Sequence, residues 1–502
     1  MVVANKDRQK DSSSTETVRV LFSDFFGVTP ENLEKFGAYN VSLVTDLPLF
    51  IDPFLLFGSN KDEYQALHEE VIKYLRFLRD RSHPDLRPGL LKSWYQFKEV
   101  HQNWFGFTSK GNRGSGLGSK FALSLNSNLL TLLTNFGNEK LTLSSHLEKL
   151  CLVEEGVGKD AISDFTTNMI KGYLAEYTET FAKKYLREDQ VSLFPVEHAE
   201  FDYKLGRWKT KRFLLPKHQD DYVLLTPADL LTREDTWINR TDLIKSYDIL
   251  PSSLPNEALR AQVNEYFQRI LNEKEEPTKK DEEAAAIKTI LRYPVLVDAY
   301  IRIKEDSADE ARTVSEEKVH VSEEIYLQNF PALISKLREA TSFYEVVGVT
   351  KEEAMQRVRY LKHVIENCDG YRTFYIDDKP LKTEEHLQVL YKMAWYASPL
   401  AADREVNNGR GPVDFKISLG AAATLVEFKL ARNSQLRSNL LKQVEIYQSA
   451  NPGSAKIKVI LFFNEQEEQK VETILKELGL MDDQDIVLID ARNDNKPSAS
   501  KA

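Results

Sequence analysis

GRGPVDFKISLGAAATLVEFKLARN, residues 409–433, contains two short hydrophobic runs separated by a turn of small residues. Each run alternates apolar and polar side chains, which is the pattern of a β-strand, so the stretch predicts a β-hairpin. Asp414 lies in the first run and Glu427 in the second, and Lys429 follows two residues later. An acid inside an apolar strand costs folding free energy unless it is paired or binds a cation. The hairpin therefore points to a site that holds these acids.

The segments around the hairpin predict an α/β domain with helices on both faces of a mixed sheet. Their periodicity and capping signals indicate a helix, an extended segment, the hairpin, then a helix, a strand, a helix and a strand. Outside the hairpin, these are TEEHLQVLYKMAWYAS (383–398), residues 401–407, SQLRSNLLKQVEIYQSA (434–450), AKIKVILFF (455–463), QEEQKVETILKELG (466–479) and DIVLID (485–490).

The acids of the hairpin favour a divalent cation. Strand side chains alternate faces with period two, so Glu427 and Lys429 point to the same side, and a hairpin can bring Asp414 beside Glu427. Two carboxylates about 4 Å apart repel by about 4 kcal/mol at an effective dielectric constant near 20. A cation between them removes that repulsion, and oxygen ligands favour Mg²⁺, with Mn²⁺ as the alternative. Lys429 could then orient an attacking water or stabilise charge on a phosphate.

Asp414 followed by Glu427-Phe428-Lys429 resembles the D…ExK signature of the PD-(D/E)xK nuclease superfamily. The next predicted helix carries Gln443 and Tyr447, similar to the QxxxY pair of RecB-like members, and residues four apart share a helix face. The resemblance covers about residues 383–490, and Pro412 stands one residue earlier than in the PD pattern. It implies a restriction-endonuclease-like fold, with Glu384 or Glu385 of the first helix as a further acid; we expect Glu385.

The resemblance implies a Mg²⁺-dependent nuclease that hydrolyses phosphodiester bonds, with DNA as the expected substrate and prokaryotic restriction or phage defence as the expected setting. The expected catalytic residues are Asp414, Glu427, Lys429, Gln443 and Tyr447, and the expected metal ligands are Asp414, Glu427 and Glu385. Basic residues around the hairpin suit phosphate contacts, and we expect Arg410, Arg432 and Lys442 to make them. A homo-oligomer or a partner protein of a defence system remains open.

The sequence before the nuclease-like domain predicts a large, mainly helical α+β region, and its motifs indicate no particular function. A length of 502 residues predicts two or three domains. We expect a tail at 1–16, an α+β domain over 17–255, a helical connector over 256–375, the nuclease-like domain over 376–491 and a tail at 492–502. Locally, 17–60 contains β-like runs and a helix from Pro30 to a stop at Gly37, and 63–81 and 89–104 read as amphipathic helices.

Composition excludes several classes of protein. A formal net charge of −10 argues against a surface that is basic throughout, but it allows a local basic groove. Cys151 and Cys368 match no metal-binding spacing, which argues against a zinc finger or a disulfide framework. No stretch is apolar over the length of a membrane span and no signal peptide is visible, so we expect a cytoplasmic protein without membrane contact.

A glycine-rich, basic segment, SKGNRGSGLGSK (109–120), leads into the predicted helix FALSLNSNLLTLL. Such a turn can hold phosphate, but Ser119 between Gly118 and Lys120 breaks the P-loop spacing. Two rival hypotheses therefore stand beside the nuclease. One is a nucleic-acid-binding or sensor protein with an inactive nuclease-like domain. The other is a nucleotide-binding enzyme that uses this segment and Lys120.

Overall fold

The computed structural model describes residues 19–106, 117–131, 136–153, 158–233, 235–272, 277–345, 351–396, 401–404, 415–419, 422–441 and 455–496. The chain divides into two units that each combine distant segments. The N-terminal unit comprises Leu21–Gln328 and Tyr375–Val389. The C-terminal unit comprises Met1–Val20, Asn329–Phe374 and Leu390–Ala502.

Helices dominate the N-terminal unit. They are α1 (Phe22–Phe26), α2 (Pro30–Phe36), α3 (Pro53–Phe57), α4 (Asp62–Arg79), α5 (Pro88–Tyr95), α6 (Ser119–Thr131), α7 (Lys149–Val153), α8 (Lys159–Met169), α9 (Lys171–Tyr185), α10 (Arg240–Lys245), α11 (Leu250–Ser253), α12 (Glu257–Leu271), α13 (Lys279–Arg292), α14 (Val295–Asp306) and α15 (Ala308–Glu323). The strands of this unit are β1 (Phe50–Ile51), β2 (Val191–Asp202), β3 (Arg207–His218), β4 (Asp221–Tyr222), β5 (Leu231–Thr232), β6 (Tyr375–Ile376) and β7 (Lys379–Pro380).

Local sequence signals account for several of these boundaries. Helix α2 begins at Pro30, whose fixed φ suits a first helical position, and it ends at Gly37 with φ +82°, as predicted. The helix predicted over 89–104 is too long, because Gln96 takes an extended conformation and ends α5. Within the β-like stretch 17–60, Phe22–Phe26 forms a short helix instead, closed by Gly27 in the left-handed region.

The long β2–β3 hairpin packs on α9 and forms one part of the N-terminal core. Its register shifts between Val196 and Glu200, where the strand carries a bulge. The buried side chains of this layer are Val100, Ala175, Val196, Leu215, Tyr222 and Leu224. The bulge redirects the residues that follow Val196, and two of them, Glu197 and His198, line a cavity.

The C-terminal unit is built on a five-stranded mixed sheet. Its helices are α16 (Phe330–Ala340), α17 (Lys351–Asn367), most of α18 (Glu384–Tyr396) and α19 (Glu465–Glu477), with a further helical segment at 436–441. Its strands are β8 (Ala401–Arg404), β9 (Phe415–Leu419), β10 (Ala422–Leu430), β11 (Ala455–Phe462) and β12 (Ile486–Asp490).

The strand order is β12-β11-β10-β9-β8. β10, β11 and β12 are parallel, whereas β9 is antiparallel to both β10 and β8. The mixed α/β architecture predicted for this region is therefore confirmed. Each parallel pair needs a crossover, and these run through 436–441 and through α19.

Helices cover both faces of the sheet. On one face, Ile460 of β11 belongs to an apolar cluster with Leu436 and with Val471 and Leu475 of α19. On the other face, the ring of Tyr391 from α18 stacks on Phe428 of β10. β10 is the middle strand of the sheet, and both of its faces are enclosed, because Val426 and Phe428 on one face and Leu425 and Glu427 on the other are buried.

Candidate active site

Glu427 and Lys429 lie on the same face of β10, as the period of a strand requires. Lys429 Nζ is 3.2 Å from Glu427 Oε1, and the two side chains are 16% and 12% exposed. The predicted common face of the two residues is therefore confirmed, and the ion pair between them is a further finding. Because both charges are largely withdrawn from water, their attraction offsets a desolvation cost that neither residue could sustain alone.

Lys458 adds a second ammonium to this face. β11 runs parallel to β10 with Glu427 paired to Lys458 across the ladder. Burial lowers the pKa of Lys458, while Glu427 and Asp483 act in the opposite direction. The Glu427 carboxylate is therefore attracted electrostatically by two lysines, Lys429 on its own strand and Lys458 on the neighbouring strand.

Sequence reasoning missed Lys458. The signal was present in AKIKVILFF, where a lysine interrupts a buried strand. Lys458 lies opposite Glu427 because of the register between the parallel strands β10 and β11. That register is set by the crossover between the strands and cannot be read from the strand sequences. The alternation of side chains predicts that Lys458 and Ile460 share a face of β11, but it does not predict which residue of β10 lies beside Lys458.

The hairpin that was predicted from the alternating runs is present in its described part. β9 and β10 pair in antiparallel register from Ala422 opposite Leu419 to Val426 opposite Phe415. Three predicted catalytic residues, Asp414, Gln443 and Tyr447, and two predicted phosphate contacts, Arg410 and Lys442, lie outside the described part of the chain.

Glu385 lies in the first turn of α18, as the capping pattern predicted. It belongs to the N-terminal unit, whereas Glu427 belongs to the C-terminal unit. Its place in a shared ligand set stays a prediction.

A buried histidine fixes the start of α18. His386 is almost fully buried, and its Nδ1 lies 2.8 Å from the hydroxyl of Tyr326 while Nε2 contacts the guanidinium of Arg233. Burial first, and Arg233 second, hold the pKa of His386 well below its usual value. Nε2 of the neutral ring therefore accepts from Arg233 and Nδ1–H donates to Tyr326.

Arg432 directly follows β10 and is anchored by protein groups. Its Nε is 3.1 Å from Glu467 Oε1, and its guanidinium lies 4.8 Å from the centroid of the Phe463 ring. Glu467 also accepts the backbone N–H of Phe463 at 2.8 Å. These contacts explain the conformation of Arg432 without nucleic acid, and the predicted phosphate contact stays a prediction.

Within the described part of the chain, no group of three or more His, Cys, Asp or Glu side chains could hold a metal ion. Asp414 is not included in it, so the predicted Mg²⁺ site stays a prediction. None of the described helices combines the length and the hydrophobicity needed to cross a membrane.

Two family models match parts of the chain. Residues 27–239 match a model described as "Domain of unknown function (DUF8370)". Residues 350–465 match a second, described as "Domain of unknown function (DUF8371)", and this range contains β10 with Glu427 and Lys429. Searches of curated proteins and of solved structures found no match to the chain.

Proposed function

We propose that the C-terminal unit is a metal-dependent nuclease of the PD-(D/E)xK type, which hydrolyses phosphodiester bonds of nucleic acid, with DNA as the substrate. The observation that carries the proposal is the buried Glu427–Lys429 ion pair on one face of a central strand. An E-x-K spacing on a strand that follows a hairpin partner is the arrangement that this chemistry uses. A role in restriction or phage defence belongs to the same proposal.

The order of elements supports a restriction-endonuclease-like fold. Helix α18, strands β8 to β10, the helical segment at 436–441 and strand β11 follow one another along the chain. The same order, a helix, three strands, a helix and a strand, is implied by the resemblance to the PD-(D/E)xK superfamily. The paired β9–β10 register ends with Phe415 opposite Val426, and in sequence Asp414 precedes Phe415 while Glu427 follows Val426. We therefore propose that these two acids lie opposite each other.

Asp414, Glu427 and Glu385 would hold the metal. Their oxygen-only donor set suits Mg²⁺ or Mn²⁺. When bound, such an ion lowers the pKa of a water and offsets charge that develops on the phosphate.

The other side chains act on water and substrate. Lys429, held at Glu427, can donate a hydrogen bond to the attacking water or to a phosphate oxygen. Lys458 is a positioning residue, because it lies opposite Glu427 on the neighbouring strand and its ammonium attracts that carboxylate. Gln443 and Tyr447 would support the acids or the phosphate from the following helix, and Arg410, Arg432 and Lys442 would contact the nucleic-acid backbone.

One observation favours a second candidate, a nucleic-acid-binding or sensor protein that does not cleave. Glu427 already has its charge balanced by Lys429, and a structural ion pair would have the same geometry. In that case the basic residues would still bind phosphates, but no hydroxide would form.

A panel of substrates and metals separates the two candidates. Full-length protein is incubated with plasmid DNA, single-stranded DNA and RNA in Mg²⁺, Mn²⁺ or EDTA. The nuclease proposal expects products with Mg²⁺ or Mn²⁺ and none in EDTA. Binding that persists in EDTA, with no products under either metal, would favour the non-cleaving candidate.

A further inference from the structure

A cavity of about 470 Å³ lies in the N-terminal unit, apart from the candidate nuclease site. It is bounded by α5, the residues before α6, the start of α9 and the bulged part of β2. This volume falls within the range of small-molecule sites in proteins. It also lies within the range 27–239 matched by the first family model.

The wall of the cavity is rich in positive charge. Lys92, Lys98 and Lys171 line it, and the acid among its described lining residues is Glu197. Glu197 is exposed and lies 3.9 Å from Lys98, which leaves the other two ammonium groups for a ligand. A lining with three lysines and one acid favours an anion.

Lys171 is the most constrained of the three lysines. It is the first residue of α9, it is half-buried, and burial lowers its pKa although Glu197 and Asp221 act against this. Its ammonium forms no hydrogen bond or ion pair with another residue of the described chain. A partly desolvated ammonium without a partner gains more from an anionic ligand than a surface lysine does.

A strained backbone directs a histidine into the same wall. His198 lies in the β2 bulge with φ +58°, a conformation that costs a non-glycine residue free energy. The bulge is held by a close approach of α9, since a Cβ on Gly172 would lie 2.1 Å from the Ala199 carbonyl oxygen. The imidazole packs against Phe97 and Trp208, with ring centroids 5.9 Å and 5.2 Å away. The fold thus fixes a hydrogen-bonding ring beside the lysines.

The end of the glycine-rich segment, directly before α6, forms a further wall of the cavity. Gly118 lines the cavity and is followed at once by α6, a helix of thirteen residues. Backbone N–H groups of a first helical turn add a partial positive charge on this side. Lys120, which the sequence had suggested as the phosphate ligand, is exposed in that turn and is not a lining residue.

We propose that this cavity binds a small phosphate-bearing anion of the size of a mononucleotide, with Lys92 and Lys171 at the phosphate and His198 as a further hydrogen-bonding group. The assignment is independent of the nuclease proposal, because it uses none of the residues of the C-terminal unit.

Calorimetric titration of the full-length protein with pyrophosphate, ATP and adenosine, in EDTA, tests the assignment. We expect both phosphate compounds to bind and adenosine not to bind. Lys171→Ala and, separately, Lys92→Ala should each weaken binding by about tenfold, the usual loss for a hydrogen bond to a charged group. Lys120→Ala, a matched lysine outside the cavity, should bind as the wild type does, and circular dichroism verifies the fold of each variant.

Two results would overturn the assignment. One is the absence of binding for both phosphate compounds, or binding that is unchanged in the Lys171→Ala and Lys92→Ala proteins. The other is binding of a short single-stranded oligonucleotide, lost in Lys171→Ala, when neither pyrophosphate nor ATP binds. That outcome would assign the cavity to a polynucleotide and not to a small anion.

Discussion

Two buried carboxyl groups, Asp52 and Glu148, stand out among the residues of the N-terminal unit. Asp52 caps α3 and accepts the backbone N–H groups of Phe54 at 3.0 Å and Trp237 at 2.7 Å. Glu148 is fully buried, and among the described residues the only hydrogen-bond donors that act on its carboxyl are the backbone N–H groups of Glu148 and Phe54, which do not reach the geometry of a full hydrogen bond. Burial raises the pKa of Asp52 to about 6, and burial followed by the charge of Asp52 raises the pKa of Glu148 well above its usual value.

Replacing Glu148 by methionine should therefore stabilise the protein, and more so at higher pH. In the unfolded chain Glu148 ionises near pH 4.5, whereas in the folded chain it stays protonated, so the folded state loses stability as pH rises above 4.5. Glu148→Met removes both this pH-dependent penalty and an unsatisfied buried polar group. We expect the substitution to raise the free energy of unfolding by about 1–3 kcal/mol at neutral pH. Urea denaturation at pH 5 and pH 8 measures the gain.

Glu265→Met, on the exposed side of α12, is the control for that experiment, and it should show no such pH dependence. A loss of stability in Glu148→Met at both pH values would show that a polar group engages the Glu148 carboxyl.

Sequence predicted part of the candidate site at this scale. The common face of Glu427 and Lys429 follows from the strand period and is confirmed. Lys458 and the lysines of the cavity were not predicted, because they come together through a parallel register and through packing of helices that are distant in sequence. Short-range periodicity carries no information about such contacts.

At the level of elements, the β9–β10 hairpin, α18 and α19 were predicted well because each has a strong local signal, whereas the helix predicted over 434–450 is described only over 436–441. TLVEFKL alternates cleanly and lies within β10, and α19 begins after the Asn464 cap, which accepts the N–H of Glu467. The prediction of a helix over 89–104 was wrong beyond Tyr95. The apolar residues after Tyr95 belong to a loop that packs on the core, as the buried side chains of Phe97 and Val100 show. Tertiary packing overrode the local pattern there.

The contact between α9 and the β2 bulge gives a prediction for a single glycine. Gly172→Ala would place a methyl group against the Ala199 carbonyl, so either the helix or the bulge must move. We expect a loss of about 1–3 kcal/mol in the free energy of unfolding, measured by urea denaturation. The matched change Gly158→Ala has open space around its Cβ and should cost less than about 1 kcal/mol. Equal stability of the two variants would contradict the close approach.

For the whole molecule, both units join segments that are far apart in sequence. Linear patterns of composition do not encode such an arrangement, so sequence reasoning could place elements but not the set of segments that share a core. A net charge of −10 also means that the chain as a whole repels nucleic acid. Any binding must come from local basic residues.

Binding of nucleic acid should consequently weaken steeply with salt. In EDTA, the logarithm of the binding constant should fall linearly with the logarithm of salt concentration. Arg410→Ala and Lys442→Ala should each reduce the slope by about one, and Lys280→Ala on α13 should leave it unchanged. Filter-binding titrations over a range of salt concentrations measure the slopes. A slope that is the same in all four proteins would exclude phosphate contacts by Arg410 and Lys442.

The most direct test of the nuclease proposal is the single-turnover rate of plasmid cleavage in Mg²⁺ by Asp414→Ala, Glu427→Gln and Lys429→Ala. Glu472→Gln and Lys476→Ala, exposed on α19, serve as matched controls, and circular dichroism verifies that each variant is folded. We predict a fall of about 10²-fold or more for the three site variants and wild-type rates for both controls. Folded Asp414→Ala and Lys429→Ala proteins that cleave as fast as the wild type would contradict the proposal.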